Sequence, residues 1–478
     1  MCLSKGEPKS MVVRPRGHLR VKGKDRTAMI TIEEKRALYL GAYEKNKVEV
    51  DCVIDEGIEK HRKGYCKLRL FDKMGNPIAN RSVTIRQKTH DFKYGANIFM
   101  LDEFEDEQDN AAYRTFFKEH FNLATVPFYW DALEPVEGKP RYDKNSEKIY
   151  RRPAPDLCVA YCEENGLLPK LHCLVYDKFI PAWLAGLPLD EVKKKYEERF
   201  RQIAERYAGR MYEFEVINEL LYECYWDVKT PLSEMRDIIE WSFATARKYL
   251  PNEVLVINEG TPVSGIGVSD YRHPYFMMIE NALQKGVAIN KIGLQNHMFT
   301  GVSSKTEEAY EYAVRHFDTQ MCDPASIRKG LDVLSEFGLP LEITEVTIPT
   351  LGDTEEDEQL QADMLKLWYS LWFSHPAVES VVYWNTVDGY AYVNETWNEN
   401  NCRGGLLHKD LTPKKSANML KKLFHEVWHT DLELTTDKDG CVEFCGFYGD
   451  YALSTDCGAA VFGVHKFQNN DYDLELSL

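Results

Sequence analysis

Two glutamates carry the chemistry that this sequence offers most plainly. Glu219 closes the run EFEVINE, directly after Asn218, and Glu345 sits inside LEITEVTI. Two carboxylates facing each other across a cleft can cleave a glycosidic bond. One protonates the leaving oxygen while the other attacks the anomeric carbon, and in retaining enzymes the two stand about 5–5.5 Å apart. One must hold its proton at the working pH while the other stays ionised. Similar polar groups close other short apolar runs: His172, Tyr176 and Asp177 in one, Asn258 and Glu259 in the next, Gln295, Asn296 and His297 in a third, and Trp384, Asn385 and Asp388 in a fourth. Asn218 is placed to hydrogen-bond a sugar 2-hydroxyl, and His297 to orient Glu345. Trp130 and Trp384 offer flat rings that suit the faces of sugars.

The elements that must position these groups are legible as a regular alternation. Apolar runs at 93–99, 123–126, 168–176, 213–218, 254–259, 291–298, 341–348 and 381–385 are separated by amphipathic stretches such as LDEVKKKYEERFRQIAERYAG. Eight strand–helix units predict an α/β fold of the (β/α)8 TIM-barrel type, in which the C-terminal strand ends face the active site. A single Glu at a strand end reads equally well as a loop cap. Polar groups at most of the strand ends argue for a shared site instead.

The flanks have another character. KVEVDCVI, YCKLRLFD and SVTIRQKTHDFKYG alternate like strands, as do the C-terminal runs around DGCVEFCGFYGDYALST. Chain termini often lie close together, so the two flanks are expected to pair into a small β-sandwich. The expected order is a basic tail over 1–30, a β-rich segment over 31–92, the barrel over 93–430 and a second β-rich segment over 431–478.

Composition narrows the partners. The net charge is −17, which repels phosphate backbones and argues against nucleic acid. No apolar stretch reaches the length of a membrane span, and neither GxGxxG nor GxxxxGK[ST] follows a strand, so no nucleotide cofactor is called for. The 12 cysteines form no metal-like cluster, and unpatterned thiols with no secretory leader point to the cytoplasm. The expected partner is a carbohydrate, with the chain a monomer or weak oligomer. HEVWH at 425–429 matches the zinc motif HExxH, but it closes an amphipathic helix with no third ligand in place, so no metal is expected. His425 and His429 read better as polar residues at a helix C-terminus. A carbohydrate-binding protein without catalysis is the other alternative, and it would require a broken carboxylate pair.

Taken together and in order, the motifs over about 92–430 resemble those of glycoside hydrolase family 10, the endo-β-1,4-xylanase family. FEVINE is similar to its WDVVNE, which implies that Glu219 is the acid/base. LEITEVTI is similar to ITELDI, which implies that Glu345 is the nucleophile. IGLQNHM matches GxQxH at Gln295 and His297, LHCLVYDKFIPAWL matches GHTLVWHSQTPxWL at His172, Pro181 and Trp183, and YWNTVDGYAY matches WGxTDxxSW at Trp384 and Asp388, with Tyr392 as its last aromatic. The resemblance implies a retaining TIM-barrel enzyme that acts on xylan. The chain also departs from the pattern. Where the family has ENxxKW to grip the glycone sugar, this sequence has the shorter PFYW. Tyr176 and Asp177 replace a Trp and a His.

Overall fold

The computed structural model describes residues 29–226 and 228–476. The expected basic tail lies almost wholly outside that range. After three helices over 32–62 come two strands, β1 (Lys63–Phe71) and β2 (Ser82–Gln87). The predicted alternation then closes into a parallel barrel of β3 (Lys93–Asn97), β4 (Leu123–Pro127), β5 (Leu168–His172), β6 (Glu213–Asn218), β7 (Leu255–Glu259), β8 (Lys291–His297), β9 (Leu341–Thr347) and β10 (Val378–Tyr383). The strands pair in sequence order, and β10 returns to β3. They read as largely apolar runs because both faces are covered, one by the barrel interior and one by the outer helices, with Lys170, Glu213, Glu215, Lys291 and Glu342 as buried exceptions. The fold class read from the sequence is therefore the one observed.

The five C-terminal strands are β11 (Asp431–Thr435), β12 (Cys441–Phe447), β13 (Gly449–Thr455), β14 (Gly458–Val464) and β15 (Asp471–Glu475). They interleave with the two N-terminal ones. One sheet runs β12-β1-β15 and the other β11-β2-β13-β14. Leu68, Ile85, Phe444, Tyr451, Leu453 and Phe462 fill the core between them, as the pairing of the two flanks predicts.

One stretch differs from expectation. Lys47–Arg62, which begins with the strand-like KVEVDCVI, is a 16-residue helix. Its Val48, Val50, Cys52 and Ile54 alternate, but the buried residues are Ile54, Gly57, Ile58 and Arg62, at helical spacing. Val48 is left 86% exposed. Tertiary contacts decide the outcome. A Cβ on Gly57 would lie 2.6 Å from the Ser374 carbonyl oxygen, so this face fits only against the helix Glu355–Ser374. Arg62 then donates to the carbonyls of His375 and Val378 at 2.5 and 2.6 Å. Residues 31–92 are thus helical in their first half and β in their second.

The barrel interior below the site is charged. Lys170 donates to Glu342 and lies 3.1 Å from Glu213 and 3.7 Å from Glu215, while Lys291 lies 2.7 Å from Glu213. Burial works against the Lys170 ammonium, but the three carboxylates hold it above the ordinary lysine range. Removing one partner from such a cluster leaves buried charge uncompensated. Lys170→Met is therefore expected to destabilise the fold by about 3–5 kcal/mol, read as a fall in the denaturant midpoint at unchanged slope. A midpoint equal to wild type would contradict this account of the cluster.

Candidate active site

Glu219 follows β6 directly and has φ of +53°. A non-glycine residue in this region is strained and points to function. Its backbone N–H donates to the Asn258 carbonyl. The next turn is pinned by Glu259, which accepts from the N–H groups of Leu221 and Gly260, both at 2.9 Å. Burial pushes Glu259 up to about 8, so below that pH it holds the turn as a neutral acid.

Register shifts aim the facing side chains. The β8–β9 pairing slips between Leu294 and Gln295, and Gln295 comes to lie opposite Glu345. Strict alternation would put Thr344 and Glu345 on opposite faces. A bulge re-aims them, and both reach Asn258. Thr344 donates to Asn258 Oδ1 at 2.6 Å, and Asn258 Nδ2 donates to Glu345 Oε1 at 3.2 Å and to Asn218 Oδ1 at 2.9 Å. The close approach requires Gly293, since a Cβ there would lie 2.7 Å from Asn258 Oδ1.

Gln295 joins the two carboxylates. Its Nε2 lies 3.0 Å from Glu219 Oε1 and 2.8 Å from Glu345 Oε1. Two such contacts to one nitrogen hold these oxygens within about 6 Å of each other, compatible with the ~5–5.5 Å of retaining pairs and short of the ~6.5–9.5 Å of inverting ones. Tyr176 donates its hydroxyl to Glu219 Oε2. Burial pushes Glu345 well above the usual carboxylate range. A charge on His172 would pull it down, while the Glu219 charge adds to the rise. Two carboxylates this close hold one proton in common more readily than two charges.

The two histidines differ. His297 Nε2 lies 3.2 Å from Glu345 Oε2, and its Nδ1 lies 2.9 Å from Thr347 Oγ1. Burial pushes this imidazole down to about 4. A neutral ring beside a carboxylate oxygen donates from Nε2, so Nδ1 is bare and accepts from the Thr347 hydroxyl. Phe299 stacks on the ring at 4.3 Å. His172 has Nδ1 2.8 Å from Glu215 Oε1 and Nε2 3.0 Å from the Tyr129 hydroxyl. Burial alone would lower His172, but the Glu215 carboxylate outweighs it and raises the imidazole above its ordinary value.

Of the residues expected from the sequence, Glu219, Glu345, His172, Tyr176, Asn218, Gln295 and His297 fall into this one network. Trp384 packs edge-on to His172 at 5.4 Å and to His297 at 6.2 Å. Tyr392 is half-buried at the rim, edge-on to Phe179 at 6.0 Å. Two expected residues lie elsewhere. Trp130 packs on Tyr196 at 4.6 Å and Trp183 at 5.6 Å in the core, with its Nε1 donating to Glu134. Asp177 is 1% exposed. It accepts from Tyr196 at 2.5 Å and from the Thr230 N–H and hydroxyl at 2.9 and 2.5 Å, so it fastens a loop. Both stand beside site residues in the chain, but their side chains turn the other way. Asp388 likewise accepts from the Gly405 N–H and the Lys414 ammonium.

Tyr129 belongs to the network without having been singled out, and Asn258, named among the strand-end polar groups, without having been given a role. Tyr129 stands in the PFYW segment that departs from the family pattern, and Asn258 ends a strand; those were the available signals. Among the described residues, the one group of three side chains close enough to share a metal is His172, Cys173 and Glu215. Two of these are already joined by a hydrogen bond. In HEVWH, His425 and Glu426 are exposed, and His429 lies 3.3 Å from Asp431. No helix among the described residues is long and apolar enough to cross a membrane.

Known proteins are similar to this chain in sequence and in fold. The family model of glycosyl hydrolase family 10 matches residues 87–422. Anti-sigma-I factor RsgI6 of Acetivibrio thermocellus is 25% identical over 408 residues, covering 84% of this chain and 46% of that protein. Endo-1,4-beta-xylanase 2 of Arabidopsis thaliana is 22% identical over 382 residues, covering 79% and 31%. The chain thus spans less than half the length of either relative. The crystal structure of xylanase 10B from Thermotoga petrophila RKU-1 in complex with xylobiose aligns with a TM-score of 0.53 at 19% identity, covering 70% of this chain and 95% of that one. At that identity it speaks for the fold.

Proposed function

The chain belongs to glycosyl hydrolase family 10, and from that membership we propose that it is a retaining glycoside hydrolase acting on β-linked, xylose-containing plant glycans. The observation that carries the reading is the Gln295 amide, which reaches both Glu219 and Glu345. In the reactive form the shared proton sits on Glu219. Glu345 attacks the anomeric carbon as the glycosidic C–O bond breaks, and Glu219 passes its proton to the leaving oxygen. Glu219, now a carboxylate, takes a proton from water. That water attacks the same carbon and releases Glu345.

The remaining contacts support these roles. Asn258, Gln295 and His297 present N–H groups to Glu345, which favours its charged form at the moment of attack. The Tyr176 hydroxyl keeps Glu219 in place. Asn218, 1% exposed, is positioned toward the pair through Asn258. The free thiols among the described residues fit a reducing compartment as the place of action.

A substrate panel tests the sugar assignment: xylan, xylo-oligosaccharides, and aryl β-xyloside, arabinoside, glucoside and galactoside. Turnover is expected to be highest on the xylose-based members. Turnover of another aryl glycoside with none on any xylose compound would overturn the sugar and leave the mechanism standing.

A further inference from the structure

The wall of the cleft on the His172 side carries two consecutive arginines that the proposed mechanism does not use. The Arg152 guanidinium lies over the Tyr129 ring at 3.8 Å, with Phe99 and Phe179 at 5.5 and 5.7 Å. Tyr129 in turn hydrogen-bonds His172, and Phe99 packs against Trp384 at 5.2 Å. Arg152 therefore stands one aromatic ring away from the polar network. It is half-buried, and its one side-chain hydrogen bond goes to the Arg151 carbonyl at 3.0 Å. Among the described residues it forms no ion pair. Asp131 feels its charge without pairing with it. Arg151 lies over Phe99 at 5.5 Å and donates to the Tyr390 carbonyl at 2.5 Å. It is 4% exposed, and its Nε has no partner.

This arrangement is unusual on electrostatic grounds. A guanidinium held out of bulk water without an anion gives up hydration and gains only ring contacts in return. The chain as a whole carries −17, so its field repels anionic ligands. Arg152 sets a positive charge one ring away from the carboxylate site, whereas the charge of Arg151 is already met by that of Glu399. The guanidinium fork matches a carboxylate with two parallel hydrogen bonds, and the aromatic rings beneath fix its plane in advance.

We propose that Arg152 recognises the carboxylate of a uronic acid, so that the glycan bound in this cleft is an acidic one with a uronate unit next to the scissile bond. The inference takes the position of the sugar site from the proposed function, and its test needs no turnover. Equilibrium binding of methyl β-D-glucuronide and methyl β-D-glucoside, which differ at the ring only in the carboxylate, separates charge recognition from ring recognition.

The wild-type chain is expected to bind the glucuronide at least about tenfold more tightly at low salt, the size of one charge-assisted hydrogen bond, with the preference shrinking at high salt. Arg152→Gln is expected to bring the two ligands to parity by weakening the glucuronide alone. Arg152→Lys, which keeps the charge and loses the fork, should fall between. Equal binding of both ligands by the wild type would overturn the proposal whatever the variants do. A glucuronide preference that survives in Arg152→Gln would also overturn it. Failure of the hydrolysis panel with a glucuronide preference intact would remove the proposed reaction and leave this site in place.

Discussion

Glu345→Gln is expected to lower turnover of an aryl β-glycoside by on the order of 10⁴–10⁶-fold, the cost of removing a group that acts only as part of a unit. The glutamine amide cannot form the glycosyl ester, and no second carboxylate stands in its place. Glu219 is tied to Tyr176, Glu215 to His172, and Glu259 to two backbone N–H groups. The fold should survive. Glu345 is 4% exposed, and burial already pushes it toward its neutral form, so a neutral amide of the same shape suits the pocket. Steady-state kinetics beside a thermal melt check both parts. Residual activity within a factor of ten of wild type, in a folded variant, would remove Glu345 as the nucleophile.

Glu219→Gln should behave differently, and the difference is diagnostic. On a glycan with a poor leaving group, loss of the proton donor is expected to cost about 10²–10⁴-fold in kcat/KM. On an aryl glycoside whose phenol leaves without protonation, the first step should be nearly untouched and the second slowed, so that KM falls with kcat. The pH profile should change as well. In the wild type, activity requires one proton on the pair, so it falls at high pH when that proton is lost and at low pH when a second is gained. In Glu219→Gln acting on the activated glycoside, only an ionised Glu345 is needed, so the alkaline limb should disappear. Equal losses on good and poor leaving groups would contradict the assignment.

The barrel was legible because its eight strands are short apolar runs bounded by polar groups, and a parallel sheet buried on both faces leaves little ambiguity in such runs. The carboxylate pair was legible because both residues sit at strand ends, where a barrel must place its site. Lys47–Arg62 was misleading because Val48, Val50, Cys52 and Ile54 alternate while the buried face follows helical spacing. Local pattern gave way to the fit of Gly57 against Ser374. Trp130 and Asp177 carried motif positions but not directions, and neighbours in the chain do not share a face. Tyr129 and Arg152 lie far apart in sequence and meet only through the cleft wall, so no spacing rule connects them. Thr347 was visible in LEITEVTI, yet its part in fixing the His297 ring depends on a hydrogen bond that no pattern encodes.

Double displacement through Glu345 is the step on which every other role in the site depends. Proton NMR of the first product released from an aryl β-xyloside, recorded before mutarotation, reads this directly. Attack by Glu345 on one face, followed by water delivered by Glu219 from the opposite face that the leaving group has vacated, predicts the β-anomer as the initial product, relaxing later to the equilibrium mixture. An α-anomer appearing first would mean a single displacement by water, and would contradict the role given to the Glu219–Glu345 pair.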